Sequence, residues 1–231
     1  SRRMHHLVDL FEARRREFAD LIVDEVGTPI RITHGLQIQF AIDILRWFAD
    51  KAASGPRGGF EELMTLHKQP ITSASMLIRE PAGVVAAITA YNNPLLLLGR
   101  KIGPALAAGC TLVVMPSPRA PLSTIAFMEL LADADLPKGT VNLVVGGPEV
   151  GKRLTESPDV DVVSFTGSHK VGSQVMRQTA GTLKRVTLEL GGKSPNIILP
   201  GADLGVAVPP SLLRFCLNSG QGCGCTTRTL V

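Results

Sequence analysis

Cys223 ends the run Asn218-Ser219-Gly220-Gln221-Gly222-Cys223, and Glu189 opens Glu189-Leu190-Gly191-Gly192-Lys193 further upstream. A cysteine that follows a turn of small residues can present an exposed thiolate, the nucleophilic form of the side chain. A carboxylate in a separate glycine-flanked turn can act as the base for a water molecule. Together these are the parts that thioester chemistry needs. Each has a plainer reading beside it. Glu189 could be a solvated carboxylate at a strand end, and a buried cysteine is ordinarily an inert small hydrophobe, which is the reading for Cys110 and Cys216. The Cys225 side chain is expected to face away from Cys223, with a strained disulfide across Gly224 as the alternative.

A third cluster, Phe165-Thr166-Gly167-Ser168-His169-Lys170-Val171-Gly172, sits where a strand ends and a helix opens. It lacks the GxGxxG spacing. It does supply close backbone approach and a helix N-terminus that can face a pyrophosphate. On this stretch alone a tight strand-to-helix turn is as good a reading. The histidines His5, His6, His34, His67 and His169 show neither metal nor triad spacing, and His169 is expected on the surface.

These residues need elements to hold them. From Arg2 to about Val26, the apolar residues Leu7, Leu10, Phe11, Phe18, Leu21, Ile22 and Val26 recur three or four apart, which predicts one amphipathic helix stopped by Gly27-Thr28-Pro29. A second helix is expected from about Thr33 to Ala53, burying Ile38, Phe40, Ile42, Leu45 and Phe48, with a break at Gly55-Pro56-Arg57-Gly58-Gly59. Residues 64–82 read as a hairpin or a pair of extended segments. Then come five apolar runs of strand length: Val84–Thr89, Thr111–Met115, Val141–Val145, Val160–Phe165 and Val186–Glu189. Helical windows near 94–108, 121–134, 149–157 and 170–180 separate them. Such alternation predicts an α/β fold with a doubly wound, Rossmann-like parallel sheet over about 83–195, its ligand at one sheet edge. After Pro200 a helix through about Leu217 is expected, shortened or kinked by Pro209-Pro210.

Composition removes several classes of function. At 231 residues and 45% hydrophobic the chain can bury a real core, while an aromatic content of 4% leaves few platforms for stacking bases. The net charge of +4 is spread along the chain, and its densest run, Arg14-Arg15-Arg16, is flanked by Glu12 and Glu17, as on a solvated helix face. No nucleic-acid partner is expected. No apolar run has the length of a membrane span, and the first twenty residues are charged rather than signal-like. Cysteines without a CxxC pair fit free thiols in a reducing, cytoplasmic setting.

Taken in order, Pro81-Ala82-Gly83-Val84-Val85, Tyr91-Asn92-Asn93-Pro94-Leu95, Lys101-Ile102-Gly103-Pro104-Ala105-Leu106-Ala107-Ala108-Gly109, Phe165-Thr166-Gly167-Ser168, Leu188-Glu189-Leu190-Gly191-Gly192-Lys193-Ser194-Pro195 and Gly220-Gln221-Gly222-Cys223 resemble the signature segments of the aldehyde dehydrogenase superfamily. The resemblance runs over essentially the whole chain. It implies that Cys223 attacks an aldehyde to give a thiohemiacetal and then a thioester, that the Asn92 amide and the Cys223 backbone N–H hold the oxyanion, and that Glu189 activates the hydrolytic water. It places the cofactor, NAD or NADP with NAD favoured, against Thr89, Ala90, Tyr91, Met115, Ser117, Gly147, Phe165, Thr166, Gly167, Ser168, Gly172 and Leu190. It divides the chain into N-terminal helices (1–63), an oligomerisation hairpin (64–82), a dinucleotide-binding domain (83–195) and the start of a catalytic domain (196–231). A homo-oligomer is implied for the full-length enzyme.

The chain also departs from that pattern. Met115 stands where lysine is usual and Pro118 where NAD-preferring members often carry glutamate, so charge-assisted bonds to the adenosine ribose are lost, and Arg119 is close enough in sequence to help NADP. Tyr91 replaces a tryptophan and Asn93 an aromatic residue. The resemblance makes the chain a segment of a longer enzyme, inactive by itself. Two further readings stand beside oxidation to the acid: a CoA-acylating member, which Glu189 disfavours, and a non-catalytic nucleotide-binding relative.

Overall fold

The apolar runs in the middle of the chain lie side by side. β3 (Val84–Ile88), β4 (Thr111–Met115), β5 (Val141–Leu143), β6 (Val162–Gly167) and β7 (Arg185–Leu190) form one all-parallel sheet in the order β5-β4-β3-β6-β7. The computed structural model describes residues 1–54, 61–68 and 70–231. The four crossovers are α5 (Pro94–Ala107), α6 (Leu122–Asp133), α7 (Pro148–Glu156) and α8 (His169–Thr179), each within a few residues of its predicted window. The chain winds from β3 outward to β5 and then returns to β6 on the other side of β3. The strand order therefore reverses between β3 and β6, where a doubly wound sheet opens a crevice at the carboxyl ends of its strands.

Alternate side chains of the strands feed two cores. Val85, Ala87, Leu112 and Val114 join one cluster with the N-terminal helices, α5 and α6, while Ala86, Ile88, Val163 and Phe165 join a second with Val150 and Leu154 of α7 and Val175 of α8. The central strands are buried on both faces, as their sequences predict. β7 is not: Arg185, Thr187 and Glu189 are exposed and alternate with half-buried residues, because β7 is an edge of this sheet.

The first predicted helix is two helices, α1 (Arg2–Ala13) and α2 (Arg15–Val26), broken at Arg14. Phe11 and Phe18 are seven residues apart, about 10 Å along a straight helix. The break lets their rings meet edge-to-face at 5.0 Å, and Phe127 of α6 closes the trio at 5.2 Å from Phe11. Arg14, Arg15 and Arg16 pair at the surface with Glu17, Glu12 and Asp20. Gly27 ends α2 in the left-handed conformation. The Glu25 carboxylate accepts the Leu122 and Ser123 backbone N–H groups, 2.8 and 3.1 Å away, and so caps α6.

The second predicted helix begins earlier, as a short turn α3 (Ile30–Ile32), and passes through a π-helical stretch, Thr33–Gln39, before α4 (Phe40–Lys51). The wider turn shifts the helical phase. Gln37 is fully buried as a result, and Phe40, expected in the core, is 50% exposed. α4 lies close on α5, where a Cβ at Gly103 would come within 2.8 Å of the Phe48 ring.

β1 (Glu61–His67) and β2 (Ser73–Ile78) form the expected antiparallel hairpin, irregular between Leu63 and Thr65. The break read at Gly55–Gly59 lies outside the described residues. Beyond the sheet, β8 (Pro195–Ile197) and β9 (Arg228–Leu230) pair in parallel around α9 (Leu204–Cys216). α9 is not shortened: Pro209 and Pro210 both lie inside it. Neither can donate to the carbonyl four residues back, but no residue of α9 is buried, so water can satisfy those carbonyls. Among the described residues no helix is long and apolar enough to cross a membrane.

Phe127→Ala removes the ring that joins α1, α2 and α6. A loss of about 3–5 kcal/mol in denaturant unfolding is expected, and a loss under 1 kcal/mol would mean that the trio does not hold these helices.

Candidate active site

The carboxyl ends of β3, β4, β6 and β7 open into a cavity of about 950 Å³. Asn92 follows β3, Glu189 sits near the end of β7, and Cys223 arrives on the loop after α9; all three line this one space. The Cys223 thiol is free and exposed.

The cysteine loop has an unusual backbone. Asn218, Ser219 and Gly220 are successive residues at positive φ, 54°, 55° and 75°. For a residue with a Cβ that conformation costs about 1–2 kcal/mol. Buried amides hold it. The Asn218 side chain donates to the Asn92 carbonyl (2.9 Å) and to Asn93 Oδ1 (3.3 Å), and its own Oδ1 accepts the Thr28 hydroxyl at 2.7 Å. From the π-helical turn, Gln37 Nε2 donates to the same carbonyl and to the same Asn93 oxygen, at 2.9 and 2.7 Å. The Ser219 hydroxyl and the Gln221 amide donate to the carbonyls of Gly27 and Val26, each at 3.1 Å.

Asn92 is not the cap of α5. Asn93 occupies that position without capping it through its side chain, and Asn92 Nδ2 donates to the Gln221 carbonyl at 2.6 Å. A primary amide has two N–H groups, so one orients the side chain against the cysteine loop and the second is left for a ligand. A Cβ at Gly192 would lie 3.5 Å from the Cys223 carbonyl, so the turn beyond Glu189 also abuts the cysteine loop.

The other cysteines differ in part from expectation. Cys110 is buried, but Cys216 is exposed because α9 has no covered face. Cys225 is buried, and a Cβ on Gly222 would approach its Sγ to 2.7 Å. Its thiol fills the volume that a side chain at 222 would take.

Of the residues expected at the cofactor, Thr89, Ala90, Tyr91, Met115, Ser117, Gly147, Phe165, Thr166, Gly167, Ser168 and Leu190 line the cavity. Gly172 does not. It is buried in α8, where a Cβ would come within 2.7 Å of Leu190 Cδ2, so its requirement is helix-to-strand packing. Ser168 caps α8 by accepting the Val171 N–H at 3.3 Å. Two features fit a dinucleotide. Thr89 Oγ1 and Thr166 Oγ1 are buried in the cavity wall with no hydrogen-bond partner, and unpaired buried hydroxyls are costly unless a ligand completes them. The helix N-termini at Pro148 and His169 both adjoin the cavity and favour a pyrophosphate.

The sequence reading singles out neither Gln37 nor Lys101. Lys101 is a buried lysine on α5 whose ammonium donates to Ser164 Oγ at 2.8 Å. Burial pushes its pKa down to about 8, and attraction to Glu189 offsets part of that. Ser164 and Thr166 are alternate residues of β6, and Thr166 pairs with Glu189, so the lysine faces the Glu189 side of the sheet. The sequence carries little signal for this, because Arg100 and Lys101 are adjacent in Leu98-Gly99-Arg100-Lys101-Ile102-Gly103 and only the second is buried.

The model of the aldehyde dehydrogenase family matches residues 1–231. A putative aldehyde dehydrogenase, DhaS, of Bacillus subtilis is 39% identical over 234 residues, covering 100% of this chain and 46% of that protein. Aldehyde dehydrogenase C of Pseudomonas syringae, solved as a cysteine-to-alanine mutant with NAD+ and octanal, superposes with a TM-score of 0.90 at 40% identity, covering 99% of this chain and 45% of that one. An NADP dependent enzyme of E. coli gives a TM-score of 0.91 at 37% identity, over 99% and 46% of the two chains. The chain spans about half the length of the curated relatives it matches.

Lys101 makes stability depend on pH. Unfolded lysine titrates near 10.4 and the folded residue at about 8, so between these values the unfolded chain binds the extra proton and stability rises with pH. Below pH 8 both states are charged and the cost of burying the ammonium is complete. Stability curves should therefore show wild type gaining on Lys101→Met by about 3 kcal/mol from pH 7 to 10.5. Parallel curves would mean that Lys101 titrates normally.

Proposed function

From the premise that the chain belongs to the aldehyde dehydrogenase family, we propose that it carries the cofactor site and the reacting groups of an NAD(P)-dependent oxidoreductase that converts an aldehyde to a carboxylic acid. The observation that carries the reading is the convergence of Cys223, Glu189 and Asn92 on a single cavity that also holds the unpaired hydroxyls of Thr89 and Thr166.

Cys223, as the thiolate, adds to the aldehyde carbon and forms a C–S bond. The negative charge moves to the carbonyl oxygen, where the second N–H of Asn92 and the Cys223 backbone N–H receive it. The hydrogen bond to Gln221 fixes the amide before charge develops, which is the condition for a donor of this kind to contribute about 3 kcal/mol. A bound nicotinamide would supply the hydride acceptor for the oxidation of this adduct to the thioester. Glu189 then takes a proton from a water that attacks the thioester carbon. The C–S bond breaks, the acid leaves and the thiolate returns. A carboxylate at the cavity wall favours water over CoA as the acyl acceptor. The reading extends to a cytoplasmic homo-oligomer joined through the β1–β2 hairpin, supported by the cysteines being free thiols and by the hairpin standing apart from the five-stranded sheet.

The test is chemical. After brief incubation of the full-length enzyme with an aliphatic aldehyde and NAD(P)+ and an acid quench, intact-mass analysis should find one acyl adduct on Cys223, absent in Cys223→Ala. In Glu189→Gln the adduct should persist at least about tenfold longer, since a positioned base contributes roughly 10²–10⁴. A bound cofactor without any adduct would defeat the proposal.

A further inference from the structure

Gln37 is a polar side chain held in the core at a cost to stability. It is fully buried, and its Oε1 has no hydrogen-bond partner among the described residues. An apolar residue of that size would avoid the penalty of burying an unpaired oxygen. The turn that carries it is unfavourable as well: the π-helical stretch Thr33–Gln39 leaves the next residue, Phe40, half in water. Single π-helical turns of this kind recur where a helix serves a site. Gln37 itself is not in the cavity wall, so whatever it does for the chemistry passes through its neighbours.

Those neighbours are consecutive residues. Gln37 Nε2 donates to the Asn92 carbonyl at 2.9 Å and to Asn93 Oδ1 at 2.7 Å, which engages both N–H groups of the amide. Asn218 reaches the same two oxygens from the cysteine loop, but its bond to Asn93 is longer, at 3.3 Å. Gln37 is therefore the main hold on Asn93. Asn93 stands where the family pattern has an aromatic residue, which would offer these donors no oxygen, so the pairing with Gln37 is a feature of this chain. Asn92 is thus fixed through its backbone on one side, and on the other its Nδ2 is turned onto the Gln221 carbonyl at 2.6 Å. We propose that Gln37 is a positioning residue for addition to the aldehyde: through the backbone of Asn92 and Asn93 it sets where the second N–H of Asn92 meets the developing oxyanion. This rests on the reading of Asn92 as an oxyanion donor. A misplacement of about 1 Å in a reacting site is enough to lower the rate roughly 10²-fold.

The experiment compares Gln37→Met, Asn92→Ala and their combination in the full-length enzyme. Two rates are read: kcat/KM for an aliphatic aldehyde, and alkylation of Cys223 by iodoacetamide, which displaces iodide and develops no oxyanion. Gln37→Met should lower kcat/KM at least about tenfold and leave alkylation within about twofold of wild type. In the Asn92→Ala background the same substitution should lower kcat/KM by less than about twofold, because the group it acts through is gone. Gln37→Met/Asn93→Leu removes donor and acceptor together, a change that is nearly neutral for folding, and should show the same loss of kcat/KM. Wild-type kcat/KM in either Gln37 variant, a parallel loss of alkylation and turnover, or equal losses in the two backgrounds overturns the proposal and leaves the cysteine chemistry standing. Wild-type kcat/KM in Asn92→Ala overturns the oxyanion reading together with it.

Discussion

The geometry of the site depends on one buried cluster of amides. Gln37, Asn92, Asn93 and Asn218, with the Thr28 hydroxyl, share hydrogen bonds in a region closed to water. They come from the loop after α2, the π-helical turn, the loop after β3 and the cysteine loop. Buried amides left unpaired cost about 1–3 kcal/mol each, so the four segments are ordered together. The left-handed run at Asn218 and Ser219, unfavourable by itself, persists because Asn218 has three partners there. The fixed point delivered to the chemistry is the Asn92 side chain, turned onto the Gln221 carbonyl two residues before the thiol.

The parallel sheet supplies the other half of the construction. Its reversal of strand order between β3 and β6 opens the crevice, and the close packing of α8 on β7 at Gly172 and Leu190 sets the width of one wall. The hydroxyls of Thr89 and Thr166 lie in that wall on strand ends either side of the reversal. The site thus combines a rigid scaffold with a loop whose shape is imposed from outside its own sequence.

Much of this is legible in the sequence, for identifiable reasons. Strands such as Thr111–Met115, buried on both faces, leave continuous apolar runs, and the helices between them leave periodic ones. Cys223 and Glu189 are legible because glycines announce exposed turns. What is hidden depends on distance. The break at Arg14 exists because Phe11 and Phe18 close on a ring over a hundred positions later. Phe40 faces solvent because a π-helical turn changes the phase, and hydrophobic spacing does not report that. The burial of Lys101 and the role of Gln37 are set by partners in other elements, Ser164 and the asparagine pair. Pro209 and Pro210 lie inside α9 against their local rule, and nothing in the structure removes the clash of their rings with the preceding turn.

The hydrogen bonds from Ser219 and Gln221 to the carbonyls of Gly27 and Val26, and from Thr28 to Asn218, join positions 190 or more apart in sequence. Contacts of such separation pay the largest loop-closure entropy and form late. The cysteine loop must therefore dock on the turn after α2 before the nucleophile acquires its surroundings. The reactive group is thus assembled by topological closure: its surroundings exist only once two distant stretches of the chain have met.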